Sequence, residues 1–226
     1  MLNVINLTKS FGKQIVLKNV NFNAQKAQLT ILEGKNGAGK STLFNILMGS
    51  IKLDNGNIIL NNTNITNMPQ EQRALIMAIL KQDPKASSAP SLSVIENLVL
   101  FNLKNHNASL KTAIRPLIKE HIIAHLDYLN ISFASSYLDE PVGNLSGGQR
   151  QILAFAMATL IKPQLLLLDE PTAALDESST YLLMDLMKKL IVLWDIPAIM
   201  ISHDHELNNS YADTIIKLKG GLICNL

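Results

Sequence analysis

GKNGAGKST, residues 34–42, is the stretch whose reading decides what kind of chain this is. Glycine stands at 34 and 39, lysine at 40 and serine at 41, which is the spacing G-x-x-x-x-G-K-[ST]. The apolar run Leu29-Thr30-Ile31-Leu32 before it reads as a strand, and residues 41–47 after it read as a helix. Glycines at these places let backbone N–H groups close round phosphate oxygens while the helix turns its positive end toward them. Lys40 is then expected to neutralise charge on a β/γ-phosphate pair and the Ser41 hydroxyl to hold Mg²⁺. The competing reading is a glycine-rich turn before an ordinary helix, and the apolar strand and helix on either side argue against it.

The chain has 226 residues, room for one large α/β domain with a small inserted lobe. Hydrophobic residues make up 47% and charged residues 17%, an apolar balance that suggests a surface covered by a partner. The formal net charge of +2, with no run of Lys and Arg, disfavours nucleic acid. Cys224 is the single cysteine, so no intrachain disulfide framework exists and a reducing compartment suits the chain. The first thirteen residues, MLNVINLTKSFGK, lack the pattern of a secretory leader. The most apolar region, residues 152–168, is interrupted by Lys162-Pro163-Gln164 and is too short on either side to span a bilayer. Membrane contact is therefore expected only through a separate subunit.

Residues 2–7 and 15–22 alternate as half-buried strands do, joined by the turn Ser10-Phe11-Gly12-Lys13, and predict an antiparallel hairpin. Phe11 either stacks on a base or packs on the hairpin. Residues 57–61 read as a short strand after a turn at Asp54-Asn55-Gly56, and Pro69 opens a helix. An apolar run at 75–80 ends in Lys81-Gln82-Asp83-Pro84, and residues 85–91 are small, polar and proline-containing, a connection into a different module. Helical patterns follow, with Val94, Leu98 and Phe101 on one face, then Ile114, Leu117, Ile118, Ile122 and Leu126 on another. Residues 85–145 thus read as a helical lobe inserted in an α/β domain.

The lobe leads into Leu145-Ser146-Gly147-Gly148-Gln149 and a helical run over 150–161. Free N–H groups of two glycines and a serine hydroxyl at a helix start again make an anion-binding concavity. The simpler alternative is a serine N-cap with a glycine linker. Two complete cradles cannot easily hold one phosphate, so the second is expected to serve the nucleotide of another molecule. The run Leu165-Leu166-Leu167-Leu168 then reads as a buried parallel strand carrying Asp169 and Glu170 to its C-terminal end, the edge at which open α/β sheets bind ligands. Asp169 is placed to hold Mg²⁺ and Glu170 to activate water. Ala173-Ala174-Leu175-Asp176 precedes an amphipathic helix over 178–193, and a strand over 198–201 delivers Ser202-His203-Asp204. His203, after a buried strand, is suited to a γ-phosphate, whereas His106, His121, His125 and His205 read as surface or helix residues.

Taken together, the phosphate loop, Gln82, LSGGQ at 145–149, LLLLDE at 165–170, AALD at 173–176 and SHD at 202–204 resemble an ATP-binding-cassette (ABC) ATPase over the whole chain. The resemblance implies a P-loop NTPase α/β core with an antiparallel β subdomain, over 1–84 and 146–226, and an inserted α-helical subdomain over about 85–145. It implies ATP and Mg²⁺ as ligands and a head-to-tail homodimer in which each signature loop closes on the partner's nucleotide. Phe11 resembles the adenine-stacking aromatic, with Val16 beside it. Gly34, Asn36, Gly37, Ala38, Gly39, Lys40, Ser41 and Thr42 would wrap the phosphates, with Mg²⁺ on Ser41, Gln82 and Asp169. Glu170 would be the general base, helped by Lys40, Gln82 and His203; Ser146, Gly147, Gly148, Gln149 and Asp176 would act across the dimer. Phenylalanine stands at 11 where tyrosine is frequent, and Lys35 where proline or histidine is. The chain is also similar to ATPase subunits of bacterial importers of tryptophan- or tyrosine-like amino acids. That implies a place on the cytoplasmic side of the membrane, an integral-membrane permease partner docking near Gln82 and residues 85–91, and an extracytoplasmic substrate-binding protein in the same system. The rival functions are a permease-free cassette ATPase working on a soluble assembly and the ATPase of an exporter.

Overall fold

The computed structural model describes residues 1–83, 87–102, 116–131, 136–173 and 175–224. His106, Ala174, residues 84–86 of the connecting stretch and Ile114 of the second helical pattern lie outside the described residues. The chain divides into two compact units: Met1–Ile79 with Pro163–Glu170 and Met187–Leu226, and Leu80–Lys162 with Pro171–Leu186.

The first unit holds two sheets. β1 (Leu2–Phe11) and β2 (Gln14–Ala24) pair antiparallel from Leu2 opposite Ala24 to Phe11 opposite Gln14. These strands run further than the alternation predicts because the backbone ladder continues through polar residues, leaving Gly12 and Lys13 as the turn. β4 (Asn55–Leu60) and β5 (Thr63–Asn64) complete a sheet in the order β2-β1-β4-β5. The second sheet runs β10-β9-β3-β8-β7-β6 and is built from β3 (Leu29–Glu33), β6 (Met77–Leu80), β7 (Leu165–Asp169), β8 (Ala198–Ile201), β9 (Thr214–Lys219) and β10 (Leu222–Cys224). β9, β3, β8 and β7 are mutually parallel neighbours. That explains their unbroken apolar runs, since parallel strands are covered on both faces. All of β3 and β8, and Leu165 to Leu168 of β7, are buried. The strands β9 and β10 were not anticipated, because Thr214–Lys219 mixes lysines into its apolar positions and Leu222–Cys224 is three residues long.

α1 (Lys40–Met48) follows the glycine loop and α2 (Gln70–Ile76) starts after Pro69. Arg73 on α2 is 3% exposed, and its guanidinium donates to the carbonyls of Ile46 and Leu47 (2.8 Å each), Ile65 (2.6 Å), Thr66 (2.9 Å) and Met68 (3.0 Å). Two of these acceptors end α1, where the helix dipole favours a cation, so the charge is accommodated and the far end of α1 is anchored.

In the second unit, α3 (Val94–Asn102) opens with a capping box between Ser93 and Glu96. Val94 and Leu98 are buried as the periodicity predicts. In α4 (Pro116–Tyr128), Ile122 and Leu126 are buried, but Leu117, assigned to the same face, is 75% exposed. α5 (Gly147–Thr159) is buried over most of its length, and α6 (Glu177–Trp194) follows, with its residues up to Leu186 in this unit. His125 of α4 sits with Nε2 3.1 Å from the Ala156 carbonyl and 3.4 Å from the Thr159 hydroxyl. Burial is the main cause that pushes this imidazole down to about 4; the Ala156 carbonyl opposes the shift and His121 adds to it. The folded chain therefore prefers neutral His125. Its stabilising effect is complete above the ordinary value near 6.5 and is lost as pH falls from there toward 4. Urea unfolding at pH 7 and pH 4.5 is expected to show an acid loss of about 2–3 kcal/mol from this group. His125→Leu is expected to flatten that part of the pH profile.

Candidate functional site

Three neighbouring parallel strands end side by side at one edge of the sheet. β3 ends in Glu33 and runs into the loop at 34–39, β8 ends before Ser202 and His203, and β7 ends in Asp169 with Glu170 next. Because β8 lies between β3 and β7, His203 follows the strand flanked by the glycine loop on one side and the two carboxylates on the other.

The loop is built to leave donors free. Gly39 is the N-cap of α1 at φ 106, a left-handed conformation that a side chain resists, and no side chain among the described residues caps the helix. A Cβ on Gly39 would also lie 2.9 Å from Leu17 and 3.3 Å from Val16, which places Val16 directly against the loop. Lys40 is 7% exposed, and its ammonium donates to the carbonyls of Gly34 (2.6 Å) and Lys35 (3.3 Å). Burial lowers its pKa, and the carboxylates of Glu170 and Asp169 partly restore it. An uncapped helix start, a folded-in cation and an exposed Ser41 hydroxyl together fit a polyphosphate. Oxygen donors of the Ser41 and Asp169 type suit Mg²⁺, which binds such phosphate complexes through few protein ligands.

Glu170 adopts φ 46, uncommon for a residue with a side chain, and its N–H donates to Ile201 O at 3.1 Å. The carboxylate Oε1 lies 3.2 Å from His203 Nε2, with His203 45% and Glu170 27% exposed. Both side chains are therefore open to water and to each other. Phe11 is half exposed, and Lys9 Nζ sits 5.3 Å from its ring centroid, so the ring already carries a cation–π contact.

The remaining predicted residues belong to the second unit. Gln82 is exposed. Ser146 is the N-cap of α5: its hydroxyl accepts the Gln149 N–H at 3.2 Å, and Gln149 Oε1 accepts the Ser146 N–H at 2.9 Å. Both side chains are thus engaged in a capping box, and the N–H groups of Gly147 and Gly148 are presented at the helix start. A Cβ on Gly148 would fall 2.5 Å from Ser179 Oγ, so only glycine permits this approach of α5 to the first turn of α6. Asp176 caps that turn, accepting from Ser178 Oγ (2.7 Å), Ser179 N (2.8 Å) and Ser179 Oγ (3.0 Å). These donors, the Ser179 N–H foremost, hold its carboxyl below the usual carboxylate range. Sequence reasoning missed Gln151, which is 1% exposed and whose amide donates to Lys81 O and Pro171 O at 3.0 Å each. Its only sequence signal was a polar residue on the buried face of α5.

Residues 17–173 match the family model described as ABC transporter. The chain belongs to the ABC transporter family. A tyrosine transport ATP-binding protein of Clostridioides difficile (strain R20291) is 37% identical over 98% of this chain and 89% of its own length. A spermidine/putrescine import ATP-binding protein, PotA, of Mycoplasma mycoides subsp. mycoides SC is 31% identical over 99% of this chain, which spans 60% of that relative. The dimeric structure of a post-hydrolysis state of the ATP-binding cassette MJ0796 bound to ADP and Pi superposes with a TM-score of 0.81 at 27% identity, covering 99% of this chain and 96% of that one. The ABC cassette is accordingly an ATP-binding ATPase subunit with an α/β P-loop NTPase core and an antiparallel β sheet, as the resemblance implied. Among the described residues, no helix is long and apolar enough to cross a membrane.

Proposed function

We propose that this cassette works as one of a head-to-tail pair on the cytoplasmic side of a membrane, hydrolysing ATP to drive a separate integral-membrane permease that imports a small solute of the amino-acid class. The observation that carries the hydrolytic part is the Glu170–His203 contact at 3.2 Å, set by β7 and β8 in the unit that also holds the Lys40 loop. Lys40 and the N–H groups of residues 34–42 hold the β- and γ-phosphates. Glu170 takes the proton from the attacking water. His203, donating to Glu170 in the resting chain, turns its Nε2–H to the γ-phosphate and so frees the carboxylate. Mg²⁺, when bound, would be held by Ser41 and Asp169 and would neutralise phosphate charge. Phe11 and Val16 support the adenine.

The paired arrangement is supported by the dimer formed by the cassette MJ0796. Ser146, Gly147, Gly148 and Gln149 then present the start of α5 to the partner's nucleotide, and Asp176 couples the two sites. The stretch near Gln82 and residues 85–91 is the part that meets the permease, with an extracytoplasmic substrate-binding protein completing the system. The tyrosine transport relative, matched over 89% of its length, favours an amino-acid cargo, and the spermidine/putrescine import relative favours import over export. The test is to express the tagged chain in its own cell, solubilise membranes gently and identify stoichiometric partners by mass spectrometry. A multispanning permease is the expected result; soluble partners alone would transfer the assignment to a permease-free ATPase.

A further inference from the structure

Glu33, the last residue of β3, is 7% exposed although it carries a carboxylate. A buried carboxylate needs donors, and Oε1 takes one from Asn208 Nδ2 at 2.8 Å, with His205 Nδ1 at 3.4 Å; Oε2 lies 3.7 Å from Lys217 Nζ. His205 and Lys217 reach it from solvent, being 81% and 45% exposed. Asn208 of α7 (His205–Tyr211) is wholly buried, and its Oδ1 has no hydrogen-bond partner among the described residues. An unsatisfied buried acceptor is destabilising, a cost that an apolar residue would avoid. The amide is kept as a donor to one carboxylate 175 residues away. A local rule broken in this way at the rim of a site points to a task.

The task follows from what the pair joins. Glu33 directly precedes Gly34, whose carbonyl holds the Lys40 ammonium at 2.6 Å. Asn208 is bonded into the turn that carries His203: its N–H donates to Asp204 O at 2.9 Å, the Asp204 carboxylate accepts the N–H groups of Glu206 and Leu207 at 3.0 Å each, and the Asp204 N–H donates to Ser202 Oγ at 3.1 Å. Residues 202–208 are thus one hydrogen-bonded segment, with the His203 ring projecting from it. The same wall lines a cleft of about 670 Å³ that includes Gly34, Lys35, His203 and Lys217. We infer that the Glu33–Asn208 hydrogen bond is a strut between the root of the phosphate loop and the His203 turn, and that Glu33 and Asn208 are positioning residues setting His203 against Glu170. The strand ladder between β3 and β8 ends at Leu32 opposite Ile201, and beyond that register the Glu33 carboxylate joins the two loops, through the 2.8 Å bond from buried Asn208 and the longer contact to exposed His205. The inference rests on the roles proposed above for His203 and Glu170.

The test is a double-mutant cycle on the purified chain, with ATP turnover and ATP affinity measured separately. Asn208→Leu keeps the volume and removes the donor. It is expected to lower kcat about tenfold, since small misplacements of a reacting group are costly, while leaving ATP affinity within about twofold. In a His203→Ala background the same change is expected to add nothing. Glu33→Leu is expected to reproduce the loss and Glu33→Gln, which keeps an acceptor, to recover turnover to within about threefold; this pair decides the matter if Asn208→Leu does not fold. Additive losses in the cycle, or an affinity that falls in step with kcat, would overturn the strut and leave the His203 role standing. Full turnover in His203→Ala alone would overturn that role and the strut with it.

Discussion

Lys40→Ala is expected to abolish measurable ATP binding. The ammonium is already held over the glycine loop by Gly34 O at 2.6 Å and Lys35 O at 3.3 Å, so nucleotide binding need not order a free side chain. Burial disfavours its charge, and a phosphate arriving there relieves that penalty while two carbonyls exchange for stronger anionic acceptors. Removing the group deletes a charge-assisted contact in a semi-buried setting, about 3 kcal/mol or somewhat more, which is at least a hundredfold in affinity. Isothermal titration with ATP in the presence of Mg²⁺ is the measurement. An affinity within threefold of the unaltered chain, in a variant whose unfolding midpoint is unchanged, would remove the loop from the site.

Glu170→Gln is expected to separate binding from chemistry. The substitution keeps the shape of the side chain and leaves the backbone bond from residue 170 to Ile201 O untouched, so the strained turn at φ 46 is preserved. A base that accepts the proton of an attacking water contributes about 10²–10⁴ in rate, and the loss of kcat is expected in that range. ATP affinity should change only a few-fold: the carboxylate supports Lys40 at a distance, and Asp169 remains. With hydrolysis blocked, the ATP-bound pair accumulates, and light scattering after size exclusion should show twice the monomer mass with ATP and the monomer mass with ADP. Turnover near the unaltered rate would mean that another group orients the water, and a monomer in ATP would count against the paired site.

The outcome for individual residues separates what is local from what is not. The loop at 34–42, the strand runs at 165–168 and 198–201, and the start of α5 were legible because each is specified by neighbours within a few residues: glycine dihedrals, unbroken apolar runs, and Ser146 with Gln149 three positions on. The same local chemistry explains why Ser146 and Gln149 close a capping box on each other and why Asp176 caps α6 through Ser178 and Ser179. Leu117 failed the periodic reading because a helix of mixed composition does not say which face its neighbour covers.

By itself, then, the sequence determined the cassette's identity, its fold class and the residue types gathered for phosphoryl chemistry, since these are carried by short motifs with fixed spacing. Which of those residues meet is settled by the packing of the whole chain. The order β9-β3-β8-β7 places the His203 turn after the strand lying between those that lead to the Lys40 loop and to Glu170, and it brings Glu33 within 2.8 Å of Asn208. Strand order is set by which buried faces pack together across the whole chain, and a buried donor for a carboxylate 175 residues distant leaves no periodic trace in either segment.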